Sequence, residues 1–381
     1  MNLIEGAFPF FIVPFLISVV LVPICKRIGF RLHIYALENK RTVHHGKIVR
    51  VGGIAIYIAF MVAMAIFMKA DTTLNAIIIG GSIVFFGGLI DDMFDVRPLV
   101  KVCFQLVGAL VAIIYGGIGL QVLSLPFGLT IDLGVFGILF SVVWIIGISN
   151  AINLIDGLDG LCAGIVFIVS CVIGLLGFFM GRRDICILTL IVCGSTMGFL
   201  PYNFHPASIF MGDCGALWLG FLLACFALLG FKTASFITLV LPILILFVPI
   251  SDTLLAIVRR KLRGQPVSQA DREHLHHQLM YRMHFGHRNT VLTMYLMSAL
   301  FGVSAIISYF HEVAGLCCVL VLVILFDIFV EYTGMVNIKY HPLISLFNTV
   351  FGKMVKIMTI PEKMQLQEDE EKRIERHGHH Q

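Results

Sequence analysis

Asn150-Ala-Ile-Asn-Leu-Ile-Asp-Gly-Leu-Asp-Gly160 places two carboxylates, Asp156 and Asp159, and two amides, Asn150 and Asn153, within eleven residues. Apolar runs of membrane length lie on both sides of it. A charged group in such a position is costly and marks function by default. On a helical turn, the i,i+3 spacing would set both carboxylates on one face. Gly157 and Gly160 leave room for a close approach of backbone or ligand. The competing reading is a polar loop between two membrane helices. Other acidic clusters decide between the two, provided they lie on the same side of the membrane.

Of the 381 residues, 59% are hydrophobic and 13% charged. The mean hydropathy is +0.96. A soluble domain carries about 25% charged residues, so the chain reads as an all-α polytopic membrane protein. The ten cysteines are scattered through apolar runs without a CxxC pair. They read as small buried residues, not as a disulfide framework. The N-terminus lacks the basic flank and cleavage site of a signal peptide, so the first run is expected to stay as a helix. A span needs about 20 mostly apolar residues. Eleven runs qualify, near 7–25, 52–68, 74–90, 99–115, 135–152, 161–179, 185–202, 214–230, 235–258, 291–310 and 313–333. Residues 1–335 would form a membrane catalytic domain and 336–381 a cytoplasmic, partly disordered tail. The Gly-rich segment 116–134, with Leu-Pro-Phe-Gly near its middle, suits a short surface hairpin.

Loop charge sets the orientation. Segments 26–50, 91–101, 259–288 and the tail after 333 hold 7, 2, 7 and 7 Lys/Arg, which is 23 of 27. The other side keeps Lys69, Arg182, Arg183 and Lys232. The positive-inside rule then puts the N-terminus outside and the C-terminus in the cytoplasm. By the same parity five polar clusters face the cytoplasm, at 44–50, 91–101, 150–160, 202–213 and 259–288. No loop was assigned by its acidic content, so their convergence favours a site over scattered polar loops.

Each cluster offers a chemistry. In the first, Lys47 and Arg50 suit phosphates, and Gly52-Gly53 could open backbone N–H groups to a ligand; the alternative is a plain positive-inside anchor. In Asp91-Asp-Met-Phe-Asp-Val-Arg-Pro-Leu-Val-Lys101, three carboxylates within five residues repel one another unless a cation or donor sits among them. A hard cation such as Mg²⁺ takes oxygen ligands and bridges carboxylates to phosphates. Asp95 could instead pair with Arg97 or Lys101. Pro98 fits the first turn of the next helix, and Lys101 would follow one turn inside the membrane, its stem reaching back to the interface. Asp213, between Gly212 and Gly215, stands where an apolar run begins, as a ligand or as a simple helix cap. In the fifth cluster His274 and His277 share a helix face, with His276 between them and Arg272 and Arg282 nearby. These groups suit hydrogen bonds to anionic phosphate; a solvated basic loop is the bland alternative. Asp252, inside an apolar run, could pair within the bundle.

Together these residues resemble the polyprenyl-phosphate N-acetylhexosamine-1-phosphate transferase family. The likeness rests on Asp91-Asp92, Asn150–Gly160, Met211-Gly-Asp-Cys-Gly215 and His274-Leu-His-His277, and runs to about residue 310. It implies transfer of a sugar 1-phosphate from a UDP-sugar to undecaprenyl phosphate, releasing UMP, at the cytoplasmic face of a bacterial inner membrane. It also implies Mg²⁺, for which Mn²⁺ could substitute. Asn153 and Asp213 match the family's metal positions, Lys101 a lysine near the lipid phosphate, and Asp91 and Asp92 its paired aspartates. Asp156 and Asp159 are expected on the nucleotide side, with Asp91 and Asp92 as the other catalytic carboxylates. Lys47, Arg50, His274, His276, His277 and Arg282 are expected to bind the nucleotide sugar.

The chain departs from the family in places. Gly212-Asp-Cys-Gly-Ala216 lacks the hydroxyl of the usual Gly-Asp-x-Gly-Ser. The first loop lacks the Thr-Pro common in the muramoyl-pentapeptide branch, and the His motif is followed by Gln278-Leu-Met-Tyr-Arg282, closer to the N-acetylglucosamine branch. The donor is therefore expected to be UDP-GlcNAc, with UDP-GalNAc left open. The product would start a cell-envelope glycan such as O-antigen or teichoic acid. The expected partners are the two substrates and membrane lipids, with a homodimer open and no nucleic acid. Two alternatives stand beside this reading: a phospho-MurNAc-pentapeptide transferase, and a transporter of an anionic lipid or nucleotide sugar. A transporter should carry charges at the midplane and paired broken helices; here the carboxylates gather at one interface.

Overall fold

The computed structural model describes residues 3–36, 47–124, 130–230, 236–262, 264 and 274–333. Thirteen helices account for almost all of them. They are α1 (Leu3–Arg31), α2 (Gly53–Phe67), α3 (Thr72–Phe94), α4 (Pro98–Leu110), α5 (Gly134–Ile155), α6 (Leu161–Phe179), α7 (Arg183–Asn203), α8 (Gly212–Gly230), α9 (Phe236–Ile245), α10 (Phe247–Leu262), α11 (Leu275–His277), α12 (His287–Phe310) and α13 (Glu312–Tyr332). A π-helical turn, Val111–Tyr115, prolongs α4, and another, Gln278–Arg282, prolongs α11. Among the described residues nine helices are long and apolar enough to cross a membrane. The all-α polytopic reading therefore holds.

Two expected spans take other forms. The run 52–68 yields the 15-residue α2, which at 1.5 Å per residue reaches only ~22 Å. The run 235–258 is split into α9 and α10 around Leu246, in the turn that precedes Pro249 of α10. Proline removes a backbone donor and clashes with the preceding turn, which explains a break that hydropathy does not register. The hairpin expected in 116–134 is present: Val122–Ser124 pairs antiparallel with Thr130–Asp132. Leu125–Leu129 falls outside the described residues, as does the tail after 333.

The chain forms two compact units, Met1–Ile250 with Val291–Leu316, and Ser251–Thr290 with Cys317–Gln381. In the first, α8 is the axis. It is apolar all round and buried along nearly its whole length, as a helix at the centre of a bundle must be. α3, α5, α2 and α6 pack around it. Tyr57, Phe60 and Phe85 surround Trp218 of α8 with ring centroids 5.2–6.4 Å away. Outward faces stay apolar, as at Val135 (79% exposed) and Val313 (76%), which suits contact with lipid rather than water.

One close approach positions the site. A Cβ at Gly88 would stand 2.6 Å from the Asp213 carbonyl oxygen. Only glycine lets the end of α3 lie on the start of α8, which sets Asp91 and Asp92 over the α8 N-terminus.

Candidate active site

α3 ends with Asp91 and Asp92 in its last turn, and Asp95 terminates it in the left-handed region (φ 49°). Pro98 opens α4 as the sequence predicts, which puts Lys101 one turn in. The Lys101 ammonium lies between two carboxylates, 3.1 Å from Asp91 Oδ2 and 2.9 Å from Asp213 Oδ2. Asn153, near the end of α5, donates from Nδ2 to the same Asp213 oxygen at 3.4 Å. Three helices thus converge on Asp213 at the start of α8: α4 and α5 directly, and α3 through Lys101.

The adjacent aspartates are oriented differently. Asp91 Oδ1 accepts the Val96 N–H at 3.1 Å while Oδ2 faces Lys101. Asp92 turns toward α8: Oδ1 accepts from Asp213 N–H and Oδ2 from Cys214 N–H, each at 2.9 Å. It caps α8 from another helix and satisfies two of the orphan donors at that end. Arg50 stands 3.7 Å from Asp92 and 3.9 Å from Asp95, so Asp95 pairs with Arg50 and not with Arg97 or Lys101.

Asp156 and Asp159 do not share a helical face. α5 stops at Ile155, and the chain turns through Gly157 to Gly160, which has φ +79°. Burial, and then the Asp213 and Asp92 carboxylates, push the Asp156 carboxyl well above the usual carboxylate range, with Arg50 opposing. The Asp156 carboxyl has no hydrogen-bond partner among the described residues. Asp159 lies instead against the α7–α8 connection. Its Oδ2 accepts the Ala207 N–H at 3.1 Å and is 2.8 Å from His205 Nδ1. Buried Asn203 clamps the same turn, accepting the Gly160 N–H at 3.1 Å and donating to the Ile209 carbonyl at 3.0 Å. Nothing in the sequence singles out Asn203 beyond its place within the 202–213 cluster. The amides of the opening stretch also part: Asn150 pairs with Gln105 of α4 at 2.8 Å, and Asn153 reaches the site.

The first loop is only partly in place. Lys40–Gly46 falls outside the described residues. Lys47 is exposed, its ammonium 4.8 Å from the Tyr35 ring centroid, while Arg50 joins the acids. The Gly52-Gly53 pair corrects the sequence reading. Its N–H groups donate to the Phe210 and Met211 carbonyls at 2.9 and 2.8 Å, so they are not open to a ligand. Gly53 instead packs against the Gly215 backbone.

The second unit holds the histidine segment. Asp252 of α10 is fully buried; its Oδ2 is 3.0 Å from His274 Nδ1, and its Oδ1 accepts the Leu275 N–H at 2.7 Å. A proton on Nδ1 facing the carboxylate leaves Nε2 as the nitrogen with the lone pair. His274 therefore precedes α11 and turns to Asp252; it does not share a helical face with His277. The His276 ring is 1% exposed, lies parallel to that of His274 with centroids 5.9 Å apart, and has no partner at either nitrogen among the described residues. Burial and the neighbouring His277 push its pKa down to about 3, so it is neutral at pH 7. His277 stacks near Tyr281 at 5.7 Å. Arg272 and the Arg282 side chain fall outside the described residues.

The first-unit cluster has a clear chemical character. Four carboxylates, of Asp91, Asp92, Asp156 and Asp213, meet two side-chain cations, of Lys101 and Arg50. Ionised, the set carries an excess of two negative charges, all on hard oxygen donors. Such a set favours a divalent cation or a bound proton.

Comparison with known proteins gives a consistent outcome. A family model described as glycosyl transferase family 4 matches residues 74–231, the stretch from α3 through α8. A "probable undecaprenyl-phosphate N-acetylglucosaminyl 1-phosphate transferase" of Bacillus subtilis (strain 168) is 40% identical over 351 residues, covering 91% of this chain and 96% of the relative. A decaprenyl-phosphate N-acetylglucosaminephosphotransferase of Mycobacterium leprae is 32% identical over 70% of this chain and 74% of its own length. A phospho-N-acetylmuramoyl-pentapeptide-transferase of Streptococcus pneumoniae is 34% identical, but over only 46% of this chain and 55% of its own.

Proposed function

This chain belongs to glycosyl transferase family 4, and on that premise we propose how it works. It is a multi-pass enzyme of the bacterial cytoplasmic membrane that transfers GlcNAc 1-phosphate from UDP-GlcNAc to undecaprenyl phosphate, releasing UMP. The likeness to N-acetylglucosaminyl 1-phosphate transferases over nearly the whole chain favours this reading over the muramoyl-pentapeptide one, where the match is partial. The membrane body is taken as eleven spans, namely the nine long helices, the short α2 and the α9–α10 pair. The loop charges support an outside N-terminus and a cytoplasmic C-terminus.

The observation that carries the mechanism is the Lys101 ammonium held between Asp91 and Asp213, near Asp156, whose carboxyl has no hydrogen-bond partner among the described residues. The acceptor is a phosphate monoester with a second pKa of about 6, so near pH 7 it is mostly dianionic and needs no strong base. The obstacle is repulsion between two anionic substrates. Lys101 is assigned to the lipid phosphate at the membrane surface. Asp213 and Asn153, with Asp91 and Asp156 near them, are assigned to Mg²⁺; their oxygen donors and uncompensated charge fit it. Bound there, the ion would neutralise the diphosphate and stabilise the leaving UMP. An acceptor phosphate oxygen forms a bond to the sugar-bearing phosphorus as the bond from that phosphorus to the UMP oxygen breaks. The electron pair leaves with UMP in one in-line displacement. Asp92 acts by holding α8, and with it Asp213, in place. Asp159 lines the nucleotide side. His274, His276, His277, Lys47, Arg50 and Arg282 are assigned to the nucleotide sugar from their motifs.

Purified protein incubated with UDP-GlcNAc, undecaprenyl phosphate and Mg²⁺ should release UMP and form undecaprenyl-diphosphate-GlcNAc. UDP-GalNAc and UDP-MurNAc-pentapeptide serve as competing donors. Turnover confined to the muramoyl donor would reject the reading.

A further inference from the structure

We propose that the crevice between α1, α6 and α7 binds one anionic phospholipid, its phosphate on Arg183 and an acyl chain along the cavity. The cavity measures about 840 Å³, within the ~300–1,000 Å³ of small-ligand sites. Its walls are apolar, built by Phe10 of α1, Phe167, Leu175 and Phe178 of α6, and Leu190 of α7. The lining hydroxyls are those of Ser170 and Thr189, and Thr189 donates to the Ile185 and Cys186 carbonyls.

Charge distinguishes one end. Arg183 opens α7 and lines the cavity. Its neighbour Arg182 is committed: it donates to both Asp184 oxygens, at 3.1 and 2.8 Å, and to the Leu229 carbonyl at 2.7 Å. The Arg183 side chain is exposed, and its guanidinium has no carboxylate or carbonyl partner among the described residues. An unengaged guanidinium over an apolar slot matches a phosphate joined to a hydrocarbon chain, since arginine binds phosphate through paired N–H groups.

Depth agrees with charge. From Arg183 to Cys193 the cavity follows ten residues of α7, or ~15 Å at 1.5 Å per residue. That is half of a ~30 Å hydrocarbon layer, one leaflet. The acidic cluster lies toward the other end of α7, where Asn203 clamps Gly160. A lipid with its phosphate on Arg183 therefore sits in the opposite leaflet and is distinct from the acceptor assigned to Lys101.

The test is native mass spectrometry of the full chain in mild detergent, with equal phosphatidylglycerol and phosphatidylcholine added, and inorganic phosphate as a separate arm. The wild type should retain one phosphatidylglycerol per chain, in preference to phosphatidylcholine, and no free phosphate. Arg183→Ala should lower phosphatidylglycerol affinity by roughly tenfold, the value of one charge-assisted contact, while Arg183→Lys keeps most of it. Leu175→Trp should fill the slot and displace both lipids. Size-exclusion profiles report folding of each variant independently of transferase activity. Equal retention of the two lipids by the wild type would overturn the proposal. So would wild-type retention by Arg183→Ala or Leu175→Trp, or binding of phosphate alone.

Discussion

Replacing Asp92 by asparagine separates a structural carboxylate from a chemical one. Both Asp92 oxygens accept backbone N–H groups at the start of α8, from Asp213 and Cys214, at 2.9 Å each. Asparagine supplies one acceptor, and in either rotamer its NH₂ faces an N–H donor. One bond to a charged acceptor, worth ~1.5–3 kcal/mol, is lost, and a buried N–H is left unpaired. Loss of a helix cap alone costs ~0.5–2 kcal/mol. A destabilisation of about 2–3 kcal/mol follows, and at ~2 °C per kcal/mol for a large chain the melting temperature should fall by ~4–6 °C. Turnover should fall too, because both donors lie at the start of α8 and one of them is Asp213 itself. Differential scanning fluorimetry beside UMP release is the assay, with Asp91→Asn as comparator. Asp91 faces Lys101 rather than the α8 terminus, so that variant should lose turnover with a smaller change in melting. If Asp92→Asn melts with the wild type while losing all activity, the capping argument is wrong and Asp92 acts directly in the chemistry.

Three further outcomes follow from the same cluster. Asp156→Asn should abolish most activity yet melt higher than the wild type at pH 7 without divalent cation. The raised pKa of Asp156 means the folded protein favours its neutral form, so wild-type stability is lost as pH rises through that raised value. The gap to the variant should therefore close as pH falls toward the ordinary carboxylate range of about 4, and a gap independent of pH would refute the assignment. Lys101→Ala should raise the apparent KM for undecaprenyl phosphate more than that for UDP-GlcNAc; the reverse pattern would move Lys101 to the donor. Asp213→Asn should cut kcat by ~100-fold or more while the protein still purifies, as loss of several kcal/mol of charge stabilisation requires, and near-normal turnover at saturating Mg²⁺ would remove Asp213 from the metal site.

Much of this was legible in the sequence. Apolar runs of membrane length gave most of the helices, because burial in lipid imposes length directly. Loop charge brought Asp91, Lys101, Asn153 and Asp213 to one side, and the structure joins them through Lys101 and Asp213. Directions were not legible. Asp91 and Asp92 are adjacent and chemically alike, and only the approach of Gly88 to α8 determines which one caps it. The helical spacing of Asp156 and Asp159 failed because α5 stops before them. The Gly52-Gly53 pair looked open because its partners, Phe210 and Met211, lie some 160 residues away in sequence. Asp252 stood out as a lone acid in an apolar run, but its partner His274 lies 22 residues further on, with no periodic spacing to link the two.

The central claim is that phosphorus travels with the sugar. UDP-GlcNAc labelled with radiophosphorus at its β position, given to the purified protein with undecaprenyl phosphate and Mg²⁺, tests it in one measurement. The account predicts label in the lipid fraction and unlabelled UMP in the aqueous one. Label in released UDP, with an unlabelled glycosylated lipid, would mean transfer of the sugar alone and would contradict it.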